Sequence, residues 1–67
     1  MDKARVVDRL IDLRREHGER QADVAEAIGV SISAVGNYES GQRIPTDDVK
    51  MKYAKHYGVS VSDIFYT

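Results

Sequence analysis

The stretch that most limits the possible folds of this chain is QADVAEAIGVSISAVGNYESG, Gln21 to Gly41. Its apolar residues recur at three- and four-residue spacing, which predicts two short helices. Gly29 divides them, and glycine takes the left-handed conformation of a sharp turn at little steric cost. Ala25 leaves room for a close helix crossing. The stretch therefore predicts a helix-turn-helix over Gln21 to Ser40, whose second helix, about Ser31–Glu39, projects one face outward.

Helical periodicity continues on both sides of this unit. An amphipathic helix is predicted over about Lys3 to His17. Thr46 is the expected N-cap of a fourth helix, and Ser60 with Asp63 resembles the capping box of a short last helix. No segment alternates with period two for long enough to predict a strand. We therefore expect a single all-α domain of five helices over residues 1–67.

Composition excludes several classes of function. The chain has 67 residues and no cysteine, so it can hold one small core and no disulfide or thiolate metal site. No apolar run approaches the roughly 20 residues of a membrane span, and the charged first residues are unlike a signal peptide. His17 and His56 fall on different predicted helices, and no serine has a histidine base with an orienting acid. We expect a cytoplasmic protein with no metal, cofactor, small-molecule ligand, membrane partner or enzymatic activity.

The outward face of the second helix of the unit carries Ser31, Ile32, Ser33, Gly36 and Asn37. A merely solvated face would usually carry Glu, Lys and Arg. Short uncharged polar groups suit close approach to base edges in the major groove of DNA. Asparagine pairs bidentately with adenine, serine bonds to several bases, and an apolar side chain packs on a thymine methyl group. The face therefore favours double-stranded DNA as a partner.

The chain resembles the XRE family of helix-turn-helix proteins, which includes the phage lambda and 434 repressors and Cro-like proteins. The resemblance covers about Val6 to Tyr66. It is carried by Leu13–Arg14 in the first helix, by QADVAEAIGVS through the turn, by AVGNYESGQRIP after it and by AKHYGVSVSDIF near the end. It implies a five-helix lambda-repressor-like fold. It also implies a sequence-specific transcriptional regulator, a repressor of prophage, mobile-element or bacterial origin.

The resemblance further implies which residues contact DNA. In the family, the glutamine that opens the second helix contacts a phosphate, and the start of the recognition helix contacts bases. The loop after that helix makes further contacts with the sugar-phosphate backbone of DNA. An Arg–Glu pair joins the first helix to the recognition helix. The corresponding residues are Gln21 and Ser31 for phosphates, Ile32, Ser33 and Asn37 for bases, Gln42 and Arg43 in the loop, and Arg14 with Glu39 for the pair.

Charge stands against a simple DNA-binding interpretation. Between Gln21 and Ser40 there are three carboxylates and no Lys or Arg, and the whole chain has a net charge of −1. Main-chain N–H groups at helix N-termini can donate hydrogen bonds to phosphates without any cationic side chain. We therefore expect few ion pairs with DNA, a shallow salt dependence and a homodimer that contacts two half-sites. Four cations flank the unit: Arg20, Arg43, Lys50 and Lys52.

The chain departs from the family pattern at several positions. Arg20 stands where a Ser or Thr usually caps the second helix, and Glu19 where an apolar residue is usual. Loss of a cap costs on the order of 1 kcal/mol. Gly36 inside the recognition helix costs up to about 1 kcal/mol relative to alanine. Lys50 replaces an aliphatic residue of many members. We expect these changes to weaken the second and third helices without altering the fold.

A rival hypothesis is an interaction module of the same fold that no longer binds DNA. Its acidic unit and the outward Ile32 would then serve a protein partner. A positive rim around Ser33 and Asn37 would favour DNA, whereas a continuous negative face would favour the rival. Dimerisation is predicted from the apolar residues of the last helix: Val61, Ile64, Phe65 and Tyr66.

Overall fold

The computed structural model describes residues 1–66, and these residues form five helices and no strand. This confirms the predicted all-α class. None of the helices in that range is long and apolar enough to cross a membrane. The helices are α1 (Lys3–Glu16), α2 (Gln21–Ile28), α3 (Ile32–Glu39), α4 (Asp47–Tyr57) and α5 (Val61–Phe65).

The predicted helix starts are largely confirmed by side-chain caps. Asp2, Thr46 and Ser60 each accept a hydrogen bond from the N–H three residues on, at α1, α4 and α5. One predicted boundary differs by one residue, because His17 lies after the end of α1 as its C-cap. Ser31 is the N-cap of α3, where its hydroxyl accepts from the Ala34 N–H at 3.0 Å.

The core lies where all five helices meet. Helix α2 packs on α3 and α4, α1 packs on α3 and α5, and α4 packs on α5. The largest side chains with less than 2% exposure come from every helix. Burial of each such side chain stabilises the fold by about 1.5–3 kcal/mol. They are Leu10, Val24, Val35, Tyr53, Ile64 and Phe65.

Tyr53 is the centre of an aromatic cluster that joins α3, α4 and α5. Its ring lies edge-to-face with those of Tyr38 and Phe65, each 6.1 Å away between centroids, and is stacked on Tyr57 at 6.3 Å. Its hydroxyl is buried and has no hydrogen-bond partner within residues 1–66. Burial, with a smaller effect from Glu39, raises the pKa of Tyr53 far above its usual value.

The predicted helix-turn-helix is formed by α2, α3 and the turn at Gly29. Gly29 has φ +74°, and its N–H and that of Val30 both donate to the Ala25 carbonyl, at 2.9 and 3.0 Å. Val24, Ile28 and Val35 are all buried between the two helices and the rest of the core. This packing fixes the orientation of α3 relative to α2.

A buried ion pair joins α1 to the end of α3. Arg14 Nε donates to both carboxylate oxygens of Glu39, at 2.8 and 3.0 Å, and Arg14 Nη1 donates to the Glu19 carbonyl at 3.1 Å. The side chain of Glu39 is only 4% exposed. The hydrogen bond that Arg14 donates to Glu39 raises the pKa of Arg14, so the guanidinium stays charged. The implied Arg14–Glu39 pair is therefore confirmed.

Two departures from the family pattern have their own compensation. The Arg20 side chain makes no cap hydrogen bond to the first turn of α2, but the Asp23 carboxylate accepts from the Arg20 N–H at 2.8 Å, which is the reciprocal contact of a capping box. This contact from inside α2 offsets part of the expected weakening of the helix start. Glu19 Oε2 lies 2.6 Å from His56 Nε2, so a polar contact replaces the usual apolar one and ties the α1–α2 loop to α4.

The predicted dimer surface on α5 is wrong for two of its four residues. Ile64 and Phe65 are fully buried in the core, because the short helix turns its apolar face toward α1 and α4. Val61 is half-buried, and Tyr66 is 55% exposed. Lys50 also lies in the interior and donates from Nζ to the Tyr66 hydroxyl at 3.0 Å.

Tyr53→Phe tests the buried hydroxyl through the pH dependence of stability. The pKa of Tyr53 is raised on folding, so above pH about 10 the unfolded chain loses a proton that the folded chain keeps. Stability from this residue is present below that pH and is lost as the pH rises. Urea unfolding between pH 8 and 11 should show a steeper decline in the wild type, by up to about 1.4 kcal/mol per pH unit. Identical declines would contradict this assignment.

Arg14→Met tests the buried ion pair. It leaves the Glu39 carboxylate buried without its cation, which should lower the free energy of unfolding by about 3 kcal/mol or more. The double variant Arg14→Met, Glu39→Leu should be more stable than Arg14→Met alone, because no charge is then stranded.

Arg15→Met is the matched control for this test. Arg15 is exposed on the same helix, so its change should stay within about 0.5 kcal/mol. Equal losses for Arg14→Met and Arg15→Met in urea unfolding would show that the pair contributes nothing.

Candidate nucleic-acid interface

The outward face of α3 is accessible along its first turns. Ser31, Ile32 and Ser33 are exposed, with Ile32 at 56%, and Asn37 is half-buried. The opposite side of the helix is held in the core by Val35 and by neighbouring buried residues. The predicted base-contacting residues therefore share one accessible helix surface, called here the α3 face: Ser31, Ile32, Ser33, Gly36 and Asn37.

Gln21 borders the α3 face from the start of α2. Its Nε2 donates to Glu39 Oε1 at 3.2 Å, which leaves the second amide hydrogen available for a phosphate. A methyl group built on Gly36 would lie 3.7 Å from Gln21 Oε1, an ordinary contact distance. The side chain of Gln21 is therefore held between the buried carboxylate and the recognition helix. Its contact with DNA remains a prediction.

The loop after α3 is fixed to the end of that helix. The N–H groups of Gln42 and Arg43 both donate to the Asn37 carbonyl, at 3.0 and 3.3 Å. These main-chain donors are already used, so the parts of Gln42 and Arg43 available to DNA are their exposed side chains. The loop also follows Gly41, whose φ of +75° turns the chain away from α3. Asn37 and the loop are thus held in one fixed arrangement.

Most of the predicted flanking cations are already paired. Arg20 Nη2 lies 3.2 Å from Asp23 Oδ1, and Lys52 Nζ lies 3.2 Å from Asp48 Oδ2. Lys50 is buried and bonded to Tyr66, so its expected position at the rim is wrong. Of the four flanking cations, Arg43 alone has no ion pair within residues 1–66.

Sequence reasoning did not identify Lys3 as a neighbour of this surface. A methyl group built on Gly41 would lie 3.1 Å from Lys3 Cδ and 3.5 Å from Lys3 Cγ. The first turn of α1 therefore lies against the loop that follows the recognition helix. The two residues are far apart in the sequence, and neither periodicity nor spacing indicates that they meet.

Comparison with known proteins also identifies a helix-turn-helix in this chain. The family model described as helix-turn-helix matches residues 10–64. The chain is 30% identical over 60 residues to the transcriptional repressor RstR of the cryptic phage CTXphi in Vibrio cholerae, covering 90% of this chain and 54% of that protein. It is 32% identical over 60 residues to the HTH-type transcriptional regulator DdrOP3 of Deinococcus deserti, covering 90% and 46%.

A third relative comes from an archaeon. An uncharacterised HTH-type transcriptional regulator of Methanocaldococcus jannaschii is 36% identical over 52 residues, covering 78% of this chain and 79% of that protein. The chain spans about half the length of the first two relatives. No solved structure matches it. All three relatives are named as transcriptional repressors or regulators, and the matching family model is described as helix-turn-helix.

The match takes in the turn at Gly29, both helices around it, and the ion pair between Arg14 and Glu39. It therefore confirms the resemblance to the lambda and 434 repressors and Cro-like proteins, and the chain belongs to the helix-turn-helix family.

Proposed function

We propose that this chain is a sequence-specific DNA-binding regulator that places α3 in the major groove and represses transcription by occupying its site. The relatives named as a phage repressor and as transcriptional regulators support this proposal. A prophage or mobile-element origin is part of it, as is a cytoplasmic location, since the chain must reach DNA.

The observation that carries the proposal is the accessible, uncharged α3 face on a rigidly held helix. The buried pair of Arg14 with Glu39 holds the end of α3, and the turn at Gly29 sets its start. A helix held in this way can keep its side chains in the positions that bidentate pairing with bases requires.

Each residue of the α3 face has a proposed role. The Asn37 amide is suited to adenine, the Ser33 hydroxyl to several bases, and the exposed Ile32 to a thymine methyl group. The Ser31 hydroxyl caps α3 and can still donate its hydrogen to a phosphate. The remaining phosphate contacts fall to Gln21, Gln42 and Arg43.

We also propose that the chain acts on DNA as a homodimer. One α3 helix offers few base contacts, and two helices one turn of DNA apart would double them. The buried Ile64 and Phe65 cannot form the dimer contact. The large apolar side chains that remain exposed on α4 and after α5 are Met51, at 64%, and Tyr66, at 55%, and we assign the contact to this region.

Selection from a random duplex library tests the proposed function. Wild-type protein should enrich a short palindromic sequence at low salt. Asn37→Ala and Ser33→Ala should each lower affinity for the enriched duplex by about 1–3 kcal/mol and relax the preference at one position of each half-site.

Ser62→Ala is the control for this selection. It makes the same change at an exposed position of α5, away from the α3 face, and should leave affinity and preference unchanged. Failure of the folded wild type to enrich any sequence would overturn the proposal in favour of a protein-interaction module.

Sedimentation of the enriched duplex with excess protein tests the dimer. Two chains per palindromic duplex are expected, with Met51→Glu reducing their cooperative binding. A single chain per duplex at all protein concentrations would contradict the dimer and leave DNA binding itself intact.

A further inference from the structure

The first turn of α1 brings a lysine to the loop that follows the recognition helix. The hydrocarbon stem of Lys3 lies across the Cα of Gly41, close enough that a methyl group there would sit 3.1 Å from Lys3 Cδ. Lys3, Arg43 and Ile44 line one small cleft beside this glycine. The two cationic side chains are thus brought to the same side of the loop.

The charges of Lys3 and Arg43 are uncompensated within the described part of the chain. Both side chains are exposed, and neither has a carboxylate within ion-pair distance in residues 1–66. Arg14 and Arg20, which precede the helix-turn-helix, are paired with Glu39 and Asp23. Lys55 has no ion pair within residues 1–66, but it lies against the end of α2 and not at the cleft beside Gly41. Of these cations, Lys3 and Arg43 are therefore the unpaired ones at the loop that follows α3.

The loop also fixes the pair relative to the base-contacting side of α3. The N–H groups of Gln42 and Arg43 both donate to the carbonyl of Asn37, the residue proposed to pair with adenine. The loop that carries Arg43 is therefore fixed beside Asn37. Two cations at this loop can form ion pairs with a DNA phosphate, although the helix-turn-helix itself carries no Lys or Arg.

We propose that Lys3 and Arg43 form a phosphate-binding site for the DNA backbone, in which α1 contributes a contact from outside the helix-turn-helix. This inference rests on the proposed function, because it assigns a second part of the same DNA interface. The stem of Lys3 packs beside Gly41, which places the lysine at the loop that carries Arg43.

The salt dependence of affinity tests this site. Lys3→Met keeps the hydrocarbon contact with Gly41 and removes only the charge. With the enriched duplex, the slope of log affinity against log salt should become shallower by about 0.9. Between 50 and 200 mM salt the variant should therefore lose roughly 3.5-fold less affinity than the wild type. Lys3→Arg should restore the wild-type slope.

Lys55→Met is the matched control. Lys55 is exposed on α4, lines a groove with the end of α2, and has no ion pair within residues 1–66. The Lys55→Met variant changes the net charge by the same amount as Lys3→Met. It should leave the slope of log affinity against log salt unchanged. Thermal unfolding of each variant confirms that the fold is retained.

The outcomes separate the two proposals. An unchanged slope for Lys3→Met, or equal slope changes for Lys3→Met and Lys55→Met, overturns the phosphate site while sequence-specific binding stands. A wild type that binds no duplex at low salt overturns both.

Discussion

The ion pair between Arg14 and Glu39 is the interaction on which the rest of the structure depends. Glu39 ends the recognition helix, and its carboxylate accepts hydrogen bonds from α1 through Arg14 and from α2 through Gln21. A buried charge is costly unless paired and hydrogen-bonded, so these contacts favour the arrangement in which α1 and α2 both reach Glu39. That arrangement directs the opposite side of α3 outward. The accessible face therefore depends on this ion pair together with the apolar packing of Val35 and Tyr38 on the inner side of α3.

Much of the fold could be predicted because the local signals for helix starts and turns agree with the tertiary packing. Gly29 marks the turn, and helix caps at Thr46 and Ser60 mark two helix starts. Local sequence patterns do not predict which side chains are buried when the residues that pack against them are distant in the sequence. The α5 residues Ile64 and Phe65 were predicted at a dimer surface, but a five-residue helix provides too little periodicity to show which side faces the core.

The sequence predicted the uncharged residues at the centre of the candidate interface better than the cations around it. Side-chain size and polarity indicate an uncharged surface at Ile32, Ser33 and Asn37, and the structure leaves these residues accessible. Whether a cation is buried, paired or free depends on residues that are close in space but distant in the sequence. Composition does not show that Lys50 is buried, or that Lys3 lies beside Gly41. The result is an interface with uncharged residues at its centre and few free cations around it, for which we expect a modest dependence on salt.

The proposed function requires that the uncharged α3 face contacts DNA directly. Its most direct test is a titration of isotope-labelled protein with the enriched duplex, followed by amide and side-chain NMR shifts. Direct contact predicts that the largest changes fall on Ile32, Ser33, Asn37 and the loop at Gln42 and Arg43, with the Asn37 side-chain amide among them. Unchanged signals on α3, with shifts confined to α4 and α5, would contradict it.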